Sequence, residues 1–293
     1  MNQSNWLAQR FEEHRGHLRG VAYRMLGSVS EADDAVQEAW LRLSRVEAET
    51  IQNLSGWLTT VVARVCLDML RSRKSRGEEP LEEGAATTVT DKTAGSDPEQ
   101  EVLLADSVGV ALLVVLDRLS PAERLAFVLH DIFAVSFEEI AAIAGRTPEA
   151  ARQLASRARR RVQGVDSAAS ANLSGQREIV ETFLSALRRG DFEGLLAVLD
   201  PDVVVRIDEA AARPGAPREI RGARKWAQGA IAYSQAARFV QPALVDGSVG
   251  LILAPGGKLS RVLRFIISNG KIVDAEIIGD PARLREIDLA VLG

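Results

Sequence analysis

A change of hydrophobic period near residue 176 is the feature that most constrains how this chain can fold. Before it, apolar residues recur at steps of three and four, which is typical of helices that bury one face. After it, two helical stretches lead into short apolar runs that indicate strands, at 203–207, 239–245, 249–253, 259–268 and 272–278. The pattern therefore predicts helical domains followed by a separate α+β domain.

Local signals place the ends of the first helices. The periodicity predicts helices over residues 6–25, after Ser30, and over about 55–73. Ser30 and Asp33 have the spacing of a capping box, in which each side chain bonds the other residue's backbone. These three helices are predicted to form the first domain.

A second set of signals predicts a helix-turn-helix. Capping boxes at 120–123 and 136–139 each begin a helix. Gly145 can take the left-handed conformation that ends one helix, and Thr147-Pro148 begins the next. Further along, Asn269-Gly270 predicts a tight hairpin between two strands.

Shifts in composition divide the chain into five segments. Two segments lack periodicity and are predicted to be linkers, one acidic and the other rich in Ser and Ala. The predicted segments are a helical domain at 1–76, an acidic linker at 77–101, a helix-turn-helix domain at 102–165, a linker at 166–175 and an α+β domain at 176–293.

The net charge of −4 conceals a strong segregation of charge. Residues 64–76 carry +4, residues 146–161 carry +5, and residues 77–101 carry −7. The turn at 136–161 taken alone is also consistent with an ordinary helical hairpin. The arginines clustered on its second helix favour DNA binding, because they are suited to neutralising phosphates. Two basic patches joined by an acidic tether favour a nucleic-acid partner.

Composition excludes several classes of site. Cys66 is the one cysteine among the 293 residues, so no internal disulfide can form, and we predict a buried, unreactive thiol. The three histidines have no metal-ligand spacing, so we expect neither a metal nor a cofactor. No apolar stretch approaches the roughly 20 residues that span a bilayer, and no signal sequence is evident, so the expected location is the cytoplasm.

Two segments resemble the group IV, or extracytoplasmic-function, sigma factors of bacterial RNA polymerase. EADDAVQEAWLRL, at 31–43, is similar to the polymerase-binding motif of their region two. The segment from Leu119 to Val162 resembles their region four. The resemblance covers residues 6–163 and implies that core RNA polymerase and promoter DNA are the partners.

The resemblance assigns roles to particular side chains. The residues that would contact the polymerase are Asp33, Asp34, Gln37, Glu38 and Trp40. Those that would contact the minus-ten element are Trp57, Arg64, Arg71 and Arg73. Those that would contact the minus-thirty-five element are Arg152, Gln153, Ser156 and Arg157, with Arg159 and Arg160 on phosphates.

Residues 176–293 are similar to SnoaL-like members of the NTF2-like superfamily. This resemblance implies a curved, mostly antiparallel sheet around a cone-shaped pocket, with room for an unidentified small molecule. GDPARL, at 279–284, resembles the closing motif of such extensions, whereas DEAA, at 208–211, stands where a DGGG-type stretch is common. The chain is thus expected to be a sigma factor whose activity a fused domain modulates.

Two alternatives remain open from the sequence. In the first, the C-terminal domain is an isomerase or cyclase tethered to a DNA-binding region, with Asp202, Asp208 or Glu276 as a desolvated general base. In the second, the chain is a free-standing repressor, which leaves the acidic helix and Trp40 unexplained. We favour binding over catalysis and expect Trp226 and Phe265 to be core residues.

Overall fold

The computed structural model describes residues 3–46, 51–76, 109–164, 170–213 and 215–292. They form two compact units. The first contains the described residues of Met1–Leu81 and Leu116–Arg160, and the second contains Gly109–Val115 and those of Arg161–Gly293. The predicted acidic linker at 77–101 lies outside the described residues.

The helices of the first half follow the predicted periodicity. They are α1 (Gln3–Leu26), α2 (Val29–Leu43), α3 (Leu54–Arg76), α4 (Val110–Asp117), α5 (Pro121–Phe127), α6 (Phe137–Ala144) and α7 (Pro148–Gln163). Helices α1, α2 and α3 pack on one another around buried Leu18, Val36 and Leu58. Cys66 lies buried in this core, as predicted, and desolvation raises the pKa of its thiol to about 12.

The capping box predicted at Ser30 and Asp33 is wrong. Helix α2 begins earlier, because the Ser28 side chain caps it by accepting a hydrogen bond from the backbone N–H of Glu31. Ser30 therefore lies inside the helix.

The helix-turn-helix has the predicted turns. Ser120 and Ser136 each form a complete capping box, with Glu123 and Glu139 respectively. Gly145 ends α6 at a φ of 66°, and Thr147 accepts a hydrogen bond from the N–H of Ala150 at the start of α7. Between α5 and α6 the chain makes a π-helical turn at Val128–Ile132.

The C-terminal domain is α+β, as predicted. Its elements are α8 (Ser170–Arg189), α9 (Phe192–Val198), β1 (Leu199–Ile207), β2 (Glu219–Arg221), α10 (Ala223–Ile231), β3 (Val240–Val245), β4 (Ser248–Leu253), β5 (Arg261–Ser268), β6 (Lys271–Ile278), α11 (Pro281–Glu286) and β7 (Leu289–Ala290). Helix α8 begins inside the segment 166–175 that the sequence assigned to a linker. The helix extends this far because Leu173 packs against the hydrophobic core of the domain.

One mostly antiparallel sheet forms this domain, with the strand order β2-β1-β6-β5-β4-β3-β7. The β1–β6 pairing is parallel and the other pairings are antiparallel. Asn269 and Gly270 both have positive φ in the turn between β5 and β6, which confirms the predicted hairpin. Register shifts in β1–β6 and β5–β6 mark irregularities of the kind that bend strands.

Asp208 joins the two short motifs that the sequence singled out in this domain. Its carboxylate accepts hydrogen bonds from the backbone N–H groups of Ala211, Gly279 and Asp280, at 2.8, 2.8 and 2.9 Å. A Cβ at Gly279 would lie within 3.0 Å of backbone atoms of Ala211, so the two segments approach as closely as only glycine permits. DEAA and GDPARL are therefore two halves of one structural clasp.

We predict that Asp208→Asn destabilises the C-terminal domain by about 2 kcal/mol, because an amide nitrogen cannot accept the hydrogen bonds that one carboxylate oxygen accepts. The measurement is urea unfolding of the full chain. The control is Asp202→Asn, at an exposed position on β1, which should change the free energy of unfolding by less than about 0.5 kcal/mol. Equal effects of the two substitutions would contradict the clasp.

Candidate polymerase and DNA interfaces

Helix α2 has one buried and one exposed face. The buried face carries Ala32, Ala35, Val36, Ala39 and Leu43. The opposite face carries Asp34, Gln37 and Leu41, spaced at i, i+3 and i+7, and all three are exposed. Leu41 is 42% exposed on this face. We call these three residues the polymerase face.

The other predicted polymerase contacts lie beside this face. Asp33 pairs with Arg19 of α1 at 2.8 Å, and Glu38 pairs with Arg42 at 2.8 Å. Trp40 is half-buried against Phe11, with the ring centroids 5.1 Å apart. Leu41 is not among the predicted contacts, and its position seven residues after Asp34 places it off the apolar stripe of α2.

Two of the predicted minus-ten arginines contact the helix-turn-helix within the first compact unit. Arg64 donates a hydrogen bond to the carbonyl of Ala142 and Arg71 donates to that of Ala144, each at 3.4 Å. Both acceptors lie at the C-terminal end of α6, where free carbonyls and the helix dipole favour cations. The basic end of α3 is thus directed at α6.

The other two predicted minus-ten residues are placed differently. Arg73 pairs with Glu31 of α2 and donates to the carbonyl of Leu26 at 3.4 Å, so it ties the three helices of region two together. Trp57 is half-buried in the first turn of α3.

Arg124 of α5 joins the helix-turn-helix to the first three helices. Its guanidinium is buried and donates to the carbonyls of Met25 and Leu116, at 2.8 and 2.6 Å, and to Asp117 at 2.9 Å. Nearby, the Phe133 ring meets α1, lying 5.1 Å from the His17 ring and 5.4 Å from the Arg24 guanidinium. Both contacts hold the two regions together in the first unit.

Helix α7 presents the predicted DNA contacts on one face. Its buried face is a row of small residues, Ala151, Ala155 and Ala158. The opposite face, which we call the DNA face, carries Arg152, Gln153, Ser156, Arg157 and Arg160. Of these, Ser156 is half-buried and the other four are exposed. Arg159 lies to one side and pairs with Asp131 at 2.6 Å.

The space between the helices and the sheet of the C-terminal domain is filled by aromatic side chains. Phe183 lies 5.2 Å from Trp226 and 5.6 Å from Phe265, measured between ring centroids, and all three are buried. The expectation that Trp226 and Phe265 are core residues is confirmed.

The three carboxylates considered as general bases do not have the surroundings that such chemistry needs. Asp202 is exposed, Asp208 is saturated by backbone N–H groups, and Glu276 pairs with Arg283 and Arg264. A general base needs a desolvated carboxylate in an apolar pocket.

In the part of the chain that the structure describes, no group of three or more His, Cys, Asp or Glu side chains could hold a metal ion. Among the same residues, no helix has the length and apolar character to cross a membrane.

Known protein families match both helical regions, and known proteins match nearly the whole chain. The Sigma-70 region 2 family matches residues 10–76, and the Sigma-70 region 4 family matches residues 109–162. The probable ECF RNA polymerase sigma factor SigI of Mycobacterium tuberculosis is 35% identical over 285 residues, with 97% of each chain covered. ECF sigma factor SigJ of the same organism is 38% identical over 290 residues, covering 92% of this chain and 91% of SigJ.

A crystal structure of the M. tuberculosis SigJ protein aligns over 94% of this chain and 98% of that one, with 33% identity and a TM-score of 0.46. The family is established by the two sigma-70 regions and by the SigI and SigJ sequences, which are 35% and 38% identical to this chain over nearly its full length. The chain belongs to the extracytoplasmic-function sigma factors, which direct bacterial RNA polymerase to promoters and start transcription.

Proposed function

We propose that the chain binds core RNA polymerase through the polymerase face of α2 and reads promoter DNA through α3 and the DNA face of α7. The observation that supports this best is the exposure of both faces on helices whose opposite sides are buried. Asp34, Gln37 and Leu41 follow one another along this face, so that it combines polar groups with an exposed apolar side chain. Asp33, Glu38 and Trp40 flank this face.

On the DNA side, position along α7 assigns the roles. Arg152 and Gln153 lie near the start of the helix, where side chains reach base edges, and Arg157 and Arg160 follow on the same face and are suited to phosphates. Arg159 is held by Asp131 and contributes less.

Separation of the two helical regions would free the minus-ten arginines fully for DNA. In the free chain, Arg64 and Arg71 each direct one N–H of an exposed guanidinium to a carbonyl of α6, and phosphates would compete for these donors. Their hydrogen bonds are long, and even a good one contributes only about 1 kcal/mol, so charge-assisted bonds to phosphates can replace them. The buried Arg124 contact is the stronger restraint on opening.

The C-terminal domain is proposed to modulate this activity by binding rather than by catalysis. Its interior is filled with aromatic rings, and its candidate carboxylates are exposed or paired. A domain on the same chain is present at high effective concentration, so even weak contacts can be populated. The protein is proposed to act in the cytoplasm, where the polymerase is.

The proposed function predicts that the purified full chain gives run-off transcripts with core RNA polymerase on a promoter library. Asp34→Ala and Leu41→Ser should each weaken core binding by about five- to thirty-fold, because truncation of important interface residues costs about 1–2 kcal/mol. The binding measurement is fluorescence anisotropy of the labelled chain titrated with core enzyme.

The matched control is Ile266→Ser, which also replaces an exposed apolar side chain but lies on β5 of the C-terminal domain, in the other compact unit. It should bind core enzyme like the unaltered chain. An absence of run-off products would contradict the function, and equal affinities for Leu41→Ser and Ile266→Ser would remove Leu41 from the interface.

A second prediction separates two neighbouring arginines of α7. Arg160→Ala should weaken promoter binding by the holoenzyme about equally across sequences and reduce the slope of log affinity against log salt by about one, because one phosphate contact is lost. Arg159→Ala should change the slope less, since its guanidinium is already paired with Asp131. Titrations over a range of salt concentrations test this, and identical slopes for the two variants would contradict it.

A further inference from the structure

Three side chains of the helix-turn-helix domain form a stack, and the proposed function uses only one of them, Arg152. The Arg152 guanidinium lies over the Phe137 ring, 5.1 Å from its centroid. On Phe137 the His130 ring is stacked at 3.9 Å, with an angle of 30° between the planes. Phe137 opens α6, Arg152 lies in the second turn of α7, and His130 lies in the π-helical turn before both.

The base of this stack is fixed by the backbone. His130 Nδ1 lies 3.0 Å from the carbonyl oxygen of Val135, and because a carbonyl only accepts, Nδ1 carries the proton and donates it. The backbone N–H of Val135 donates to the carbonyl of Leu129, and Ala134 has a positive φ, so the loop folds back over this turn. His130 is half-buried and thus offers Phe137 a fixed surface.

Arg152 is the member of the stack whose orientation matters for reading a base. Arg152 is exposed, and a free arginine side chain samples many rotamers, whose loss opposes binding. Reading a guanine edge requires the planar fork of the guanidinium in one orientation. A cation held over an aromatic face by the ring quadrupole has part of that freedom removed before DNA arrives.

We infer that Phe137, supported by His130, is a positioning residue that orients Arg152 for reading the minus-thirty-five element. The inference rests on the proposed base-reading role of Arg152. It adds to that role a residue that touches no base itself, and it explains why an aromatic side chain lies half-exposed at the first position of α6.

The test uses holoenzyme made from core RNA polymerase and the full chain, on a promoter library randomised at both elements. Sequencing of the run-off products gives the preference for each base, expressed as a ratio between matched and mismatched promoters. This ratio is insensitive to the fraction of folded protein, so a merely structural role of Phe137 would not move it. The variants are Phe137→Leu, Phe137→Tyr, Arg152→Ala and the double variant Phe137→Leu with Arg152→Ala.

Arg152→Ala should reduce the preference at one base position about ten-fold or more. Phe137→Leu should reduce the preference at the same position about three-fold, since it keeps the apolar volume and removes the ring. Phe137→Tyr keeps the ring face and should retain the original preference. The double variant should show the same ratio as Arg152→Ala alone, because Phe137 acts only through Arg152.

The other possible outcomes distinguish a failure of the proposed base reading from a failure of the positioning role. If Arg152→Ala leaves every base preference unchanged, the proposed base reading is wrong and the inference falls with it. If Arg152→Ala lowers the preference but Phe137→Leu does not, base reading stands and the positioning role is wrong. Independent losses that multiply in the double variant, or failure of Phe137→Tyr to restore the ratio, would also overturn the positioning role.

Discussion

The arrangement of the two helical regions depends on the buried guanidinium of Arg124. Its side chain is nearly inaccessible, and desolvation lowers the pKa of the guanidinium, yet arginine stays charged because its reference pKa is so high. A buried cation is tolerated only when its hydrogen bonds are made, and here two carbonyls and Asp117 accept them. One acceptor is the carbonyl of Met25, 99 residues earlier in the chain, so satisfying this charge requires the regions to meet.

The contacts between the two helical regions differ in strength, and this difference decides which of them can be released when DNA binds. Arg124 makes short bonds in a buried site, whereas Arg64 and Arg71 make long bonds at exposed positions. The arginines assigned to DNA are therefore engaged weakly enough to be released. The exposed faces of α2 and α7, in contrast, are accessible before any rearrangement within the first unit.

Local chemistry made much of this fold predictable, and long-range chemistry did not. Ser120, Ser136 and Gly145 act within one turn of their own position, and each was predicted with its role. The buried role of Arg124 was not, because its partner Met25 is distant in sequence and a charged residue in a helix is usually solvated. The edge strands β2 and β7 were missed as well, since segments of two or three residues carry no alternation to read. At the interfaces, helical spacing grouped the exposed residues, but only packing showed that Asp33 and Arg159 are paired.

We propose that the free chain holds the basic side chains of α3 against α6 and that promoter binding separates them. Spin labels on Ser75→Cys and Glu138→Cys, both exposed positions, would report this distance by pulsed electron spin resonance, because the native Cys66 is buried and unreactive. The account predicts one short distance distribution in the free chain and a longer one in the complex with core RNA polymerase and promoter DNA. The same distribution in both states would contradict it.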